Sequence, residues 1–283
     1  ASLDMSPKLF TVSQNIIKAF KELVTDYENI TNSKQLTFRK LVENGFPLPT
    51  NLKKNIPISV NDSITEYLDR CIKLIQREQN RKVIIFDMDG VLYQLGGEHN
   101  GYRGSILEKI VLQNARSFIK AKERCSNNQV TTVLRAGLTD PVGLSAYLSR
   151  KYGISRLEYF NNVWNISPAG IIKKNYQVTE IISLLELNPQ LKIILLTSAP
   201  RIWADRVLKY LKIADLFESI YTGEQFGHKG EILTLLAGRY KPENIISVGD
   251  QYQTDLEPAQ KLGMRTFQAK NSKNLKQLLD ILQ

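Results

Sequence analysis

From residue 82 onward, short apolar runs rich in isoleucine and valine alternate with longer amphipathic ones. The short runs are KVIIF (82–86), KIILLT (192–197), SIYTG (219–223), IISVG (245–249) and RTFQA (265–269). Between the later ones stand PRIWADRVLKYLKI, KGEILTLLAGRY and LEPAQKLG, whose apolar residues recur at helical spacing. A strand that is apolar on both faces needs cover on both, and a helix after each strand supplies it. The pattern therefore predicts an α/β fold, a parallel sheet with helices on each side. Ligands of such sheets bind beyond the C-terminal ends of the strands.

The rhythm breaks between residues 94 and 190. GSILEKIVLQNARSFIKAKE, DPVGLSAYLSRKYG, SRLEYFNNVW and VTEIISLLEL read as helices there, and nothing reads as a strand. This predicts a helical insertion after the first strand. Three helices are also expected before residue 80. TVSQNIIKAFKELVTDYENI places Ile16, Ile17, Phe20, Leu23 and Val24 on one face, with Thr11 and Gln14 as a capping box. SKQLTFRKLVENG stops at Gly45. After a connector with three prolines, FPLPTNLKKNIPISVND, the stretch SITEYLDRCIKLIQREQ carries Ile64, Leu68, Cys71, Ile72 and Ile75 at helical spacing. The expected organisation is an N-terminal helical segment (5–80), a core (81–95 and 190–283) and a helical insertion (96–189). The residues ahead of Met5 read as an appended remnant.

No run of about eighteen apolar residues is present, so no membrane span is expected. The N-terminus lacks the apolar core of a signal peptide. Cys71 and Cys125 stand apart from each other and from the histidines. That argues against a zinc site or a disulfide framework and suits idle thiols in a reducing cytoplasm. Net charge is +10, yet adjacent basic residues come only in pairs, such as Lys53-Lys54 and Lys173-Lys174. Without a block of like charge, it reads first as a solvated surface, then as attraction for small anionic substrates, and last as nucleic-acid binding.

The strand ends carry the chemistry. Asp87 and Asp89 follow KVIIF at once, and two close carboxylates need a cation or a shared proton to offset their repulsion. Asp250 ends IISVG, and Asp255 follows in GDQYQTD. If these strands are parallel neighbours, Asp87, Asp89 and Asp250 converge. Oxygen donors without a histidine or cysteine cluster suit a hard cation, Mg²⁺ above all. KIILLTSAP exposes Thr197 and Ser198, with Pro200 in the position of a first helical residue, so that a hydroxyl lies beside a helix N-terminus. Lys229 supplies a positive charge after the next strand. Its competitor, Lys241 in RYKPEN, comes too near the following strand. Together these groups suit phosphoryl transfer.

The order DMDG, LLTS, Lys229 and GDQYQTD resembles the haloacid dehalogenase-like superfamily of phosphohydrolases, whose four motifs fall in that order across residues 82–269. The resemblance implies a three-layer Rossmann-like sandwich with an α-helical cap at the insertion. YLSRKYGISRLEYF and VLKYLKIADLFESIYTGEQFGHKG are similar to phosphatases of the phosphoglycolate and pyrimidine 5′-nucleotidase kind. It implies that Asp87 is the nucleophile and Asp89 the general acid, then the base. Thr197 and the backbone N–H groups of Ser198 and Met88 would hold phosphate, and Lys229 would stabilise nucleophile and phosphate. Asp87, Asp250 and the backbone carbonyl of Asp89 would bind Mg²⁺, with Asp255 outside the direct ligands or orienting Lys229. Asp89 places the chain with the phosphatase-like branch rather than the dehalogenases. The Lys-Thr-Gly-Thr of the cation pumps is absent.

The function implied is Mg²⁺-dependent hydrolysis of a small phosphomonoester through phospho-Asp87. Candidate substrates are a nucleoside monophosphate, a sugar phosphate or phosphoglycolate. A sugar-phosphate phosphomutase, a nucleic-acid 3′-phosphatase and a non-catalytic scaffold using the N-terminal helices stay open. A P-loop kinase is excluded for want of its Gly-rich loop. His99 and His228 read as plain loop residues, and Trp203 as core beside Val207 and Leu211. Trp164, Tyr159 and Phe160 read as packing between cap helices before stacking on a base. Arg103 is a candidate for a second anionic group of the substrate. The sequence leaves the oligomeric state open.

Overall fold

The computed structural model describes residues 17–26, 28–29, 37, 39–40, 63–98, 101–174, 176–188, 190–269 and 275–282. It divides into two compact units, residues 1–81 with 235–241 and residues 82–234 with 242–283. Among the described residues no helix is long and apolar enough to cross a membrane.

In the first unit, α1 (Ile64–Gln79) starts at Ser63, whose Oγ accepts from the Glu66 N–H at 3.5 Å. This satisfies one of the orphan donors at a helix start. Ile64, Tyr67, Leu68 and Cys71 pack against Val24 and Ile17 of the helical stretch 17–26, and Lys21 pairs with Asp69 at 2.5 Å. The expected capping box at Thr11 and Gln14 and the proline-rich connector lie outside the described residues. So does the helix expected over 33–45, apart from residues 37, 39 and 40.

The chain then runs through β1 (Lys82–Phe86), β2 (Tyr93–Gln94), α2 (Ile106–Glu123), α3 (Asn127–Leu138), α4 (Leu144–Tyr152) and α5 (Arg156–Val163). It continues through β3 (Lys173–Lys174), α6 (Tyr176–Glu186), β4 (Leu191–Leu196), α7 (Arg201–Leu211), β5 (Ser219–Tyr221) and α8 (Lys229–Arg239). It ends with β6 (Ile245–Gly249), α9 (Glu257–Lys261), β7 (Arg265–Gln268) and α10 (Gln277–Leu282). The five longer strands form one parallel sheet in the order β5-β4-β1-β6-β7. β1 is central, and Phe86 lies beside Leu195 on one side and Val248 on the other. The three strands stop in step, so whatever follows each of them meets at one edge of the sheet. β4 and β6 are buried along their whole length, as their apolar sequences require.

Two parts of the insertion differ from the expectation. α3 forms where no helix was expected. It is opened by a capping box in which Ser126 and Gln129 bond each other's backbone, and it buries Val130, Val133 and Leu134. Its valines and threonines are weak helix formers, and burial of that apolar face outweighs their preference. A strand also forms in the stretch that showed none. β2 and β3 pair antiparallel, Tyr93 with Lys174 and Gln94 with Lys173. They tie the chain entering the helices α2–α5 to the chain leaving them. A two-residue strand has no periodicity to read.

Candidate active site

Strand geometry sets the site. The Asp87 N–H donates to Val248 O at 2.8 Å, extending the β1–β6 pairing by one residue and fixing the Asp87 backbone. The chain then turns through Gly90 at φ +80°. A Cβ there would lie 2.4 Å from Asp250 Oδ2, so a glycine is what leaves room for that carboxylate. After β6, a π-type turn over Tyr252–Leu256 brings Asp255 back over the strand. A Cβ on Gly249 would lie 2.3 Å from the Asp255 Cβ.

Lys229, the first residue of α8, reaches under the same edge. Its Nζ lies 2.6 Å from Asp87 Oδ1 and 2.7 Å from Asp255 Oδ1, and all three side chains are buried. Burial alone would pull the ammonium down, but Asp87 and Asp255 outweigh it and hold the group above its usual value. Lys229 therefore stays charged. Burial pushes the Asp87 carboxyl up while Lys229 pulls it back. Asp255 is fully engaged, since its oxygens also accept from the Gln251 N–H at 3.1 Å and from Thr254 Oγ1 at 3.1 Å.

Asp250 differs. Both of its carboxylate oxygens are buried and have no hydrogen-bond partner among the described residues. Burial and the nearby Asp255 push it up to about 6. One carboxylate oxygen each from Asp87, Asp250 and Asp255 lies within 4.8 Å of the others. A buried carboxylate without a partner is costly, and a divalent cation is the partner that this all-oxygen donor set fits.

The Asp89 side chain is not part of that cluster. Its Oδ1 accepts from Tyr93 Oη, and Tyr93 Oη accepts from Trp203 Nε1 at 2.9 Å. Trp203 is fully buried, as expected for a core residue, and it also bonds toward the site. Thr197 is fully buried at the end of β4. Its Oγ1 accepts from the Ala199 N–H at 3.1 Å, which leaves the hydroxyl proton free to donate. Ser198 is exposed. The N–H groups of Met88 and Ser198 donate to no protein acceptor among the described residues.

The N-terminus of α7 departs from the expectation. Pro200 caps the helix instead of opening it, and the first N–H, of Arg201, donates to both oxygens of Glu224 at 2.8 and 2.9 Å. A carboxylate already occupies the helix end that was expected to help hold an anion. His228 and Lys241 are exposed, and His228 lies 3.5 Å from Glu231. His99 lies outside the described residues, and Arg103 is exposed.

Beside the strand ends lies a cavity of about 250 Å³, lined by Tyr102, Tyr159, Phe160 and Trp164 from the insertion and by Ser198 and Gly223 from the sheet edge. Tyr159 meets Phe118 of α2 edge-on at 6.0 Å, the packing between helices expected of it, while Trp164 stacks on Tyr102 at 5.5 Å. Arg156, which the sequence did not single out, crosses from α5 to donate to Gly223 O at 2.8 Å. One arginine among many carries no signal for such a bond. Tyr93 was missed for the same kind of reason: its hydroxyl finds a partner 110 residues away in sequence.

The family model for haloacid dehalogenase-like hydrolase matches residues 81–263. No curated protein sequence matched the chain. Among solved structures it is similar to an HAD phosphatase from Thermococcus onnurineus (16% identity, 70% of this chain and 97% of that one, TM-score 0.49). It is also similar to a 2-haloacid dehalogenase from Pseudomonas syringae (16% identity, 72% and 100%, TM-score 0.46). A third likeness is to a predicted phosphoglycolate phosphatase from Haemophilus somnus (21% identity, 66% and 84%, TM-score 0.41). At these identities and scores the likenesses leave the reaction to be read from the site itself.

Proposed function

The chain belongs to the haloacid dehalogenase-like hydrolase family, and from that premise we propose that it is a Mg²⁺-dependent phosphatase acting on a small phosphomonoester through phospho-Asp87. The observation that carries this reading is the pairing of opposites at one sheet edge. Asp87 is clamped by a charged Lys229 on one side and faces the unpartnered carboxylate of Asp250 on the other.

Asp87 attacks phosphorus, and the bond to the leaving oxygen breaks with its electron pair on that oxygen. Asp89 gives that oxygen a proton. A water then attacks phosphorus, Asp89 takes its proton, and the Asp87–phosphorus bond breaks to release phosphate. Thr197 Oγ1 and the N–H groups of Met88 and Ser198 would donate to phosphate oxygens, and Lys229 would offset their charge, a reading supported by the lack of other acceptors for those three donors among the described residues. Mg²⁺, held by Asp87, Asp250 and the backbone carbonyl of Asp89, would supply further positive charge against the phosphate. Asp255 orients Lys229. The helices over 96–189 act as the cap that chooses the leaving group, and the aromatic cavity beside Ser198 would receive it.

The test is a hydrolysis screen across metabolite phosphates, with Asp87→Asn protein as the blank. Release of phosphate by the native chain from at least one ester, stopped by chelation, is the expected result. No release from any ester contradicts the reading.

The metal carries its own prediction. A cation has to displace the proton that burial favours on Asp250, so Mg²⁺ affinity should fall as the pH drops through about 6. Calorimetry at about pH 5 should show binding about tenfold or more weaker than at about pH 7.5. Asp250→Asn should lose binding at both. Equal affinity at the two pH values would contradict this assignment of the ligand.

A further inference from the structure

We propose that Tyr93, held by Trp203, is a positioning residue that fixes which oxygen of Asp89 handles the proton. The inference rests on the phosphatase reading above and adds to it. An indole Nε1–H can only donate, so Tyr93 Oη accepts from Trp203. Tyr93 is 1% exposed, and its hydroxyl has no third partner among the described residues. Its single proton therefore goes to Asp89 Oδ1. The reverse arrangement, with Asp89 donating to Tyr93, would leave the tyrosine proton buried and unpaired. Asp89 Oδ1 is thus a standing acceptor, whatever the state of the reaction. Oδ2, the oxygen that the Tyr93 hydroxyl does not bond, gives the proton to the leaving oxygen and takes it back from water.

The placement of Tyr93 gives this bond a second consequence. Tyr93 is the first residue of β2, paired with Lys174 of β3, and it also bridges to Asp89 through the backbone. The residue that orients the acid stands in the ribbon where the helical insertion leaves and rejoins the chain. Trp203, on α7, anchors it from the sheet side. Asp89 is therefore oriented by both ends of the arrangement that carries the cavity.

Leaving-group dependence tests the proposal. An alkyl phosphate needs a proton on its leaving oxygen, whereas an aryl phosphate with an acidic phenol hardly does, and kcat/KM reports the steps through phospho-Asp87 formation. Tyr93→Phe should lower kcat/KM for the alkyl ester about tenfold or more beyond its effect on the aryl ester. Trp203→Phe, which frees the Tyr93 hydroxyl to turn, should shift the ratio the same way by less. In an Asp89→Asn background, Tyr93→Phe should leave the ratio where it is, because the acid it positions is gone.

Equal losses on both esters, no loss on either, or a further shift of the ratio in the Asp89→Asn background would each overturn the proposal. Circular dichroism and Mg²⁺ affinity like those of the native chain identify folded variants, and if Tyr93→Phe fails that check the Trp203→Phe ratio decides. A native chain that hydrolyses neither ester nor any other phosphate removes the phosphatase reading itself. Hydrolysis with unshifted ratios removes only the role of Tyr93.

Discussion

Asp87→Asn should lower turnover of an aryl phosphate by about 10⁴-fold or more while leaving the fold intact. An amide cannot form the aspartyl-phosphate bond, and Asp250, the neighbouring carboxylate without a protein partner among the described residues, is in this reading taken up by the ion. Asp255 is held by Lys229, Gln251 and Thr254, and the side chain of Asp89 is turned to Tyr93. The variant should melt no lower than the native chain, because it removes one of several acids crowded around Lys229. Turnover within tenfold of native, measured on protein free of contaminating phosphatase, would mean that another group attacks phosphorus or that water does so directly.

The second large effect is on stability. Lys229→Ala should destabilise the chain by about 3–5 kcal/mol, the usual cost of breaking a buried ion pair from one side. Lys229 is buried between Asp87 and Asp255, and among the described residues its removal leaves those two and Asp250 with no paired cation. A loss of that size is a large part of the roughly 5–15 kcal/mol that holds a typical domain together. Denaturant unfolding in the presence of a chelator measures it. Added Mg²⁺ should restore part of the loss, since it brings charge back to the same acids. A change below about 1 kcal/mol would mean that the acids do not depend on this lysine.

The strand ends were the most legible part of the sequence, and the reason is physical. A carboxylate at the end of an apolar strand must find a partner, so Asp87 and Asp250 announce a site wherever β1 and β6 lie side by side, as they do. The bounds of β1 and β6 fall where the apolar runs fall. β4 begins one residue earlier, at Leu191, and ends at Leu196. Lys229 was legible as the positive charge that the set of acids lacked, whereas the partnership of Asp255 with it was implied by the family resemblance alone. What was not legible depends on bonds across elements. Glu224 reaches the start of α7 from the loop after β5, and Trp203 reaches Tyr93 of β2 from α7. Neither bond has a local pattern. α3 was hidden by its valines and threonines, although Ser126 and Gln129 stood at capping-box spacing.

The central claim is that Asp87 takes up phosphorus beside a divalent ion held by Asp250. A crystal structure grown with Mg²⁺ and beryllofluoride, a mimic of the aspartyl-phosphate, tests it most directly. The account predicts beryllofluoride bonded to an Asp87 carboxylate oxygen, with the ion on Asp87, Asp250 and the Asp89 carbonyl. Beryllofluoride on another residue, or an ion bound away from Asp250 with Asp87 still paired only to Lys229, would contradict it.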